Sequence, residues 1–110
     1  MTFSVSITPA ALAMLKDVSD ARLRRLIAER IAGLAVDPDE QGKPLLGEFK
    51  VLRSLRAAGQ RFRIIYSVDD GKATVCALAI GRREDGGRRD VYELARKLLR
   101  QGLLGHSPRR

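Results

Sequence analysis

Polar and apolar residues alternate across residues 2–8, TFSVSIT, which puts Phe3, Val5 and Ile7 on one face of a short strand. Thr8 followed by Pro9 is a cap and a first-turn proline, opening a helix that runs to about Val18 with Leu12 and Leu15 on its apolar side. Ser19 or Asp20 caps a second helix. There Leu23, Leu26, Ile27, Ile31 and Leu34 recur at spacings of three and four, opposite a basic face that includes Arg22 and Arg25. Residues 37–47, DPDEQGKPLLG, open with Asp-Pro, carry further chain breakers and read as a loop.

From residue 48 the period changes to two. EFKVLRSL (48–55), RFRIIYSV (61–68) and KATVCALAI (72–80) read as three consecutive strands, the last two joined at Asp70-Gly71 by a tight hairpin. In the middle strand Phe62, Ile64, Tyr66 and Val68 share one face, and Arg61, Arg63, Ile65 and Ser67 the other. The third strand is apolar on both faces, as a central strand is. A last helix follows from Asp90, with Val91, Leu94, Ala95, Leu98 and Leu99 inward. The pattern predicts an α+β fold: an N-terminal strand, two helices on one face of a mainly antiparallel four-stranded sheet, and a C-terminal helix. Residues 1–104 form one domain, and 105–110 a flexible basic tail. The two early helices cover the Phe62/Tyr66 face, and the Arg63 face is left to solvent or a partner.

Charge changes this picture most. Lys and Arg number 21 against 13 Asp and Glu, a net charge of +8, and the lysines are only Lys16, Lys43, Lys50, Lys72 and Lys97. Arginine grips phosphate through a planar fork, so an arginine surplus points to a polyanionic partner. The surplus concentrates in IGRREDGGRRDVYE (80–93), where Arg82, Arg83, Arg88 and Arg89 follow a core strand. No stretch is long enough to span a bilayer, and no signal-peptide pattern opens the chain, so a cytoplasmic protein without a membrane partner is expected. Cys76 reads as a small core residue, His106 lies in the tail, and no ligand cluster predicts a metal or other cofactor.

GKPLLGEF, RFRIIYSVDD and AIGRRE…DVYELARKLL, in this order and spacing, resemble the RelE/ParE superfamily of bacterial toxins over roughly residues 3–100. The resemblance implies a toxin held inactive by a cognate antitoxin, as a hetero-oligomer. In the RelE branch such toxins cleave mRNA on the ribosome; in the ParE branch they poison DNA gyrase. By that resemblance Arg63, Arg83 and Tyr92 match the catalytic positions. The chain departs from ribosome-dependent members in two ways. The first of the three strands brings basic groups only at Lys50 and Arg56, and the EDGGR insertion lengthens the spacing from Arg83 to Tyr92.

Cleavage by the RNA's own 2′-OH needs a proton acceptor, a proton donor and stabilisation of charge on the phosphate. Arg63 and Arg83 suit the last task and, as permanent cations, neither of the first two. Tyr92 serves as base or stacks on a nucleotide base. Glu48 and Glu84 are conceivable bases that suit surface ion pairs better. Lys50, Arg56, Arg61, Arg82, Arg88 and Arg89 are the expected RNA-binding residues, contacting phosphates. The reading favoured on sequence is therefore a ribosome-dependent endoribonuclease toxin. A gyrase inhibitor without catalysis and an inactive basic RNA-binding module are the alternatives.

Overall fold

A computed structural model describes residues 2–82 and 89–101, the side chains of Arg89 and Asp90 excepted. Both predicted helix starts form as read. The Thr8 hydroxyl accepts the Ala11 N–H at 3.0 Å and opens α1 (Pro9–Lys16). Asp20 accepts the N–H groups of Arg22 and Leu23 at 2.9 and 3.3 Å and opens α2 (Ala21–Ala32). Each cap satisfies donors that a first helical turn leaves without partners.

The strands are β1 (Ser4–Ile7), β2 (Lys43–Pro44), β3 (Leu52–Ala57), β4 (Phe62–Asp69) and β5 (Thr74–Arg82), ordered β1-β5-β4-β3-β2 in one sheet. β1 runs parallel to β5 and the other pairings are antiparallel, so the sheet is mixed. It has five strands where the pattern predicted four. The fifth, β2, is two residues long and lies inside the breaker-rich loop, where proline suits an edge. Two boundaries also move. Residues 47–49 form a 3₁₀ turn with Lys50 at its end, so β3 begins at Leu52 rather than Glu48. The β4–β5 link is a four-residue turn in which the Asp69 carboxylate accepts the Lys72 N–H; Ala73, with φ of 52°, takes the left-handed conformation expected of Gly71.

Two apolar layers flank the sheet. α1 and α2 pack on the face carrying Phe62, Ile64 and Tyr66, with Ile27, Ile31 and Leu34 at its centre. The opposite face was expected to be open, but α3 (Arg89–Arg100) covers it. Val91, Ala95 and Leu98 bury Ile65 together with Leu45, Phe49 and Leu52. Leu99, expected inward, is exposed. Strand alternation made Ile65 look half-exposed because a covering helix distant in sequence leaves no mark on strand periodicity. Among the described residues no helix is long and apolar enough to cross a membrane.

One irregularity sets what faces what. The β4–β5 register runs Ile65↔Ala79 and then Tyr66↔Ala77, so Leu78 is an extra residue on β5. A bulge of this kind inverts the parity of everything after it. Val75 and Ala77 face the helix pair, yet so does Ile80, while Ala79 faces α3. The same shift turns Gly81 toward α3 and Arg82 away from it.

Candidate functional site

Across β3, β4 and β5 the register aligns Arg56, Arg63 and Gly81. Directly opposed residues of adjacent strands share a face, so Arg56, which is exposed, and Arg63 both lie on the sheet face that α3 covers. Arg63 is only 8% exposed, the one charged residue among the buried side chains described. Gly81 makes room for the helix beside it: a Cβ there would lie 2.6 Å from a methyl of Leu94.

Arg63 forms the boundary between two cavities. The larger, about 710 Å³, is walled by Arg56 and Ser54 of β3, Lys43 of β2, Arg30 of α2 and Tyr92 of α3. The other, about 470 Å³, runs along α3 past Glu93, Lys97 and Arg100. The larger cleft opens over the sheet edge because β2 pairs only with Arg53 and Ser54, leaving the outer edge of β3 beyond them without a strand neighbour. There the Arg30 Nε–H donates to the Arg56 carbonyl at 3.3 Å. Its described lining contains Arg30, Lys43, Arg56 and Arg63 and no carboxylate. Such a lining favours an anion over a cation.

Tyr92 closes the wall opposite. Its hydroxyl accepts the Leu46 N–H at 2.8 Å, and its ring lies 6.4 Å from that of Phe49 at 52°. The bond fixes the phenol at the cleft while leaving its own O–H able to donate. The neighbouring loop is held from beneath. The buried Tyr66 hydroxyl donates to the carbonyls of Pro38 and Gln41 at 2.9 and 2.5 Å, and Arg53 donates to those of Gln41 and Gly42. Burial raises the Tyr66 pKa above the ordinary phenol value, against the opposing pull of Arg53. Gly42, with φ of 63°, approaches so closely that a Cβ would run into the Ser54 carbonyl.

The cleft thus gathers Arg63, Tyr92 and Arg56 from the sequence-based set. Other members lie elsewhere. The Arg82 guanidinium sits 5.1 Å over the Phe62 ring, on the helix-pair face, although the residue also borders the smaller cavity. Arg61 lies in the turn before β4 and Lys50 at the end of a 3₁₀ turn, both exposed and neither lining the cleft. Arg83, Arg88 and Glu84 lie outside the described residues, as do the Arg89 side chain and the tail 105–110. Sequence reasoning passed over Arg30 and Lys43. Arg30 directly precedes Ile31 of the apolar stripe, which was the available signal; Lys43 had none beyond its charge.

Comparison with known proteins places this geometry in context. Residues 5–86 match the family described as ParE toxin of type II toxin-antitoxin system, parDE. The fold resembles the toxin–antitoxin complex RelBE2 from Mycobacterium tuberculosis, with TM-score 0.68 and 29% identity over 77% of this chain and 95% of that one. It also resembles a free E. coli RelE variant with two arginines changed to alanine, with TM-score 0.67 and 20% identity over 88% and 97%. A chromosomal ParDE system from P. aeruginosa gives TM-score 0.62 and 22% identity over 74% and 96%. No curated protein matches the chain in sequence.

Proposed function

The chain belongs to the RelE/ParE superfamily of type II toxin–antitoxin toxins, and within it we propose that this member is an endoribonuclease that cleaves mRNA on the ribosome. The observation that carries the reading is the cleft in which Arg63, Arg56 and the Tyr92 hydroxyl meet without a carboxylate. In this reading the 2′-oxygen attacks the adjacent phosphorus, the bond to the 5′-oxygen breaks, and a cyclic phosphate and a 5′-hydroxyl result. One proton leaves the 2′-OH and one reaches the 5′-oxygen. Arg63, desolvated beneath α3, would stabilise the charge gathering on the phosphoryl oxygens, where a preorganised donor is worth about 3 kcal/mol. Tyr92 sits where it can exchange a proton or stack on a base. Arg83, two residues beyond Gly81, is proposed as the second phosphate cation.

Cleavage mapping in cells expressing the toxin tests this directly. Cuts confined to translated transcripts are expected. Arg83→Ala should lower cleavage at least tenfold, about 1.4 kcal/mol of transition-state stabilisation; unchanged cleavage by a folded variant removes Arg83 from the site. A second reading, gyrase inhibition, is favoured by the family match to ParE toxins. Intact transcripts together with trapped gyrase–DNA breaks would establish it instead. The proposed partner in either case is a cognate antitoxin whose acidic segment covers the cationic cleft, as coupled folding of such a segment allows.

A further inference from the structure

We propose that Arg30 and Lys43 join Arg56 in a second phosphate-binding subsite, which grips the backbone of a single-stranded RNA beside the phosphate that Arg63 faces. The subsite rests on the RNA-cleaving reading above and extends it to residues that no sequence motif singles out.

The shape is that of a track. The main cleft passes over the open edge of β3 into a third groove of about 500 Å³, and Arg30 and Arg56 line both. With Arg63 shared by the cleft and the cavity along α3, concavities follow one another with arginine at each junction. A compact anion would fill one of them, whereas a chain of phosphates fills the series. Glu29 on the wall of the third groove and Glu93 along α3 bound the track at its two ends, and the central cleft between them has no carboxylate in its described lining.

Among the described residues none of Arg30, Lys43 and Arg56 forms an ion pair. Arg30 spends its Nε–H on a carbonyl and Arg56 one N–H on the Gln60 side-chain amide, at 3.3 Å each. Both guanidinium groups are thereby held in place by neutral acceptors while keeping most of their five donors. Like charges directly opposed on adjacent strands, as Arg56 and Arg63 are, oppose folding. A third guanidinium added at the same edge makes sense once an anion binds between them, because fixed forks then grip phosphate without further ordering.

The test uses the full-length toxin and a fluorescent single-stranded oligoribonucleotide, 2′-O-methylated so that it cannot be cut. Binding is titrated across salt concentrations. Arg30→Ala should weaken binding about tenfold and reduce the logarithmic salt slope by about 0.7, one phosphate contact on a single strand. Arg30→Ala and Arg56→Ala combined should lose less than the sum of the single losses, since they share a phosphate. Arg25→Ala, exposed on the same helix and lining none of the three cavities, is the control and should bind as wild type. If wild type binds with a salt slope and Arg30→Ala behaves like Arg25→Ala, the subsite is overturned and the RNA reading stands. If wild type leaves the strand unbound, the RNA reading falls and the subsite with it.

Discussion

Arg63 and Tyr66 lie three residues apart on β4, both buried, both polar, and facing opposite sides of the sheet. Tyr66 sits in a closed account: its hydroxyl reaches two loop carbonyls, and Arg53, its cross-strand partner, supplies further donors to the same loop. Arg63 has the reverse environment. Its cross-strand partner is Arg56, and the cleft it borders is lined by two more cations. One polar group stabilises the fold through hydrogen bonds completed within the chain. The other is a buried guanidinium bordering a cleft lined by further cations, an arrangement that suits a ligand of opposite sign.

The comparison breaks first at Arg63. Replacing it with methionine roughly keeps the packing volume and removes the charge. RNA cleavage per folded molecule should fall at least about 100-fold, roughly 2.7 kcal/mol of transition-state stabilisation. A variant that unfolds and leaves cleavage per folded molecule intact would make Arg63 a structural residue like Tyr66.

How far each side was legible in the sequence follows from the same contrast. The Thr8 and Asp20 caps, the alternation of Phe62, Ile64 and Tyr66, and the apolar stripe of α2 are local signals, and each element formed where they placed it. The surroundings of Arg63 depend on non-local events. The bulge at Leu78 falls in an all-apolar run, where a parity change alters no pattern, yet it decides that Gly81 rather than Ile80 stands opposite Arg63. The covering by α3 needs Leu45, Phe49 and Leu52 to meet it from the loop and β3, which no single segment announces. β2 has two residues, one of them proline, too few for any period. Arg30 sat on a helix whose basic face read as solvated, and only the short β2 opens the sheet edge beside it.

On the Tyr66 side the largest effect should come from Gly42. Its left-handed backbone costs an alanine about 1–2 kcal/mol, and the approach of the Ser54 carbonyl adds to that. Gly42→Ala should therefore lower unfolding free energy by more than about 2 kcal/mol in a denaturant titration, and displace the loop that forms the cleft wall. Loss of cleavage in this variant should follow loss of folded protein, unlike that of Arg63→Met. Tyr66→Phe should cost less, about 1–2 kcal/mol, since Arg53 still donates to the Gln41 carbonyl while that of Pro38 loses its phenol partner.

The smallest effect is a pH dependence, and its sign separates the two sides. Burial holds the Tyr66 hydroxyl protonated more firmly in the folded chain than in the unfolded one. Its contribution is fully present below the unfolded phenol pKa of about 10 and is lost as pH rises through the higher folded value. Stability measured by denaturant unfolding should therefore decline in that alkaline window, and Tyr66→Phe should flatten part of the decline while leaving the curve at neutral pH lower throughout. Arg63→Met should leave this alkaline slope as it is, because its guanidinium stays charged across the window. An equal flattening in both variants would mean that the two faces of β4 titrate as one network, and the division between a completed and an anion-seeking side would have to be abandoned.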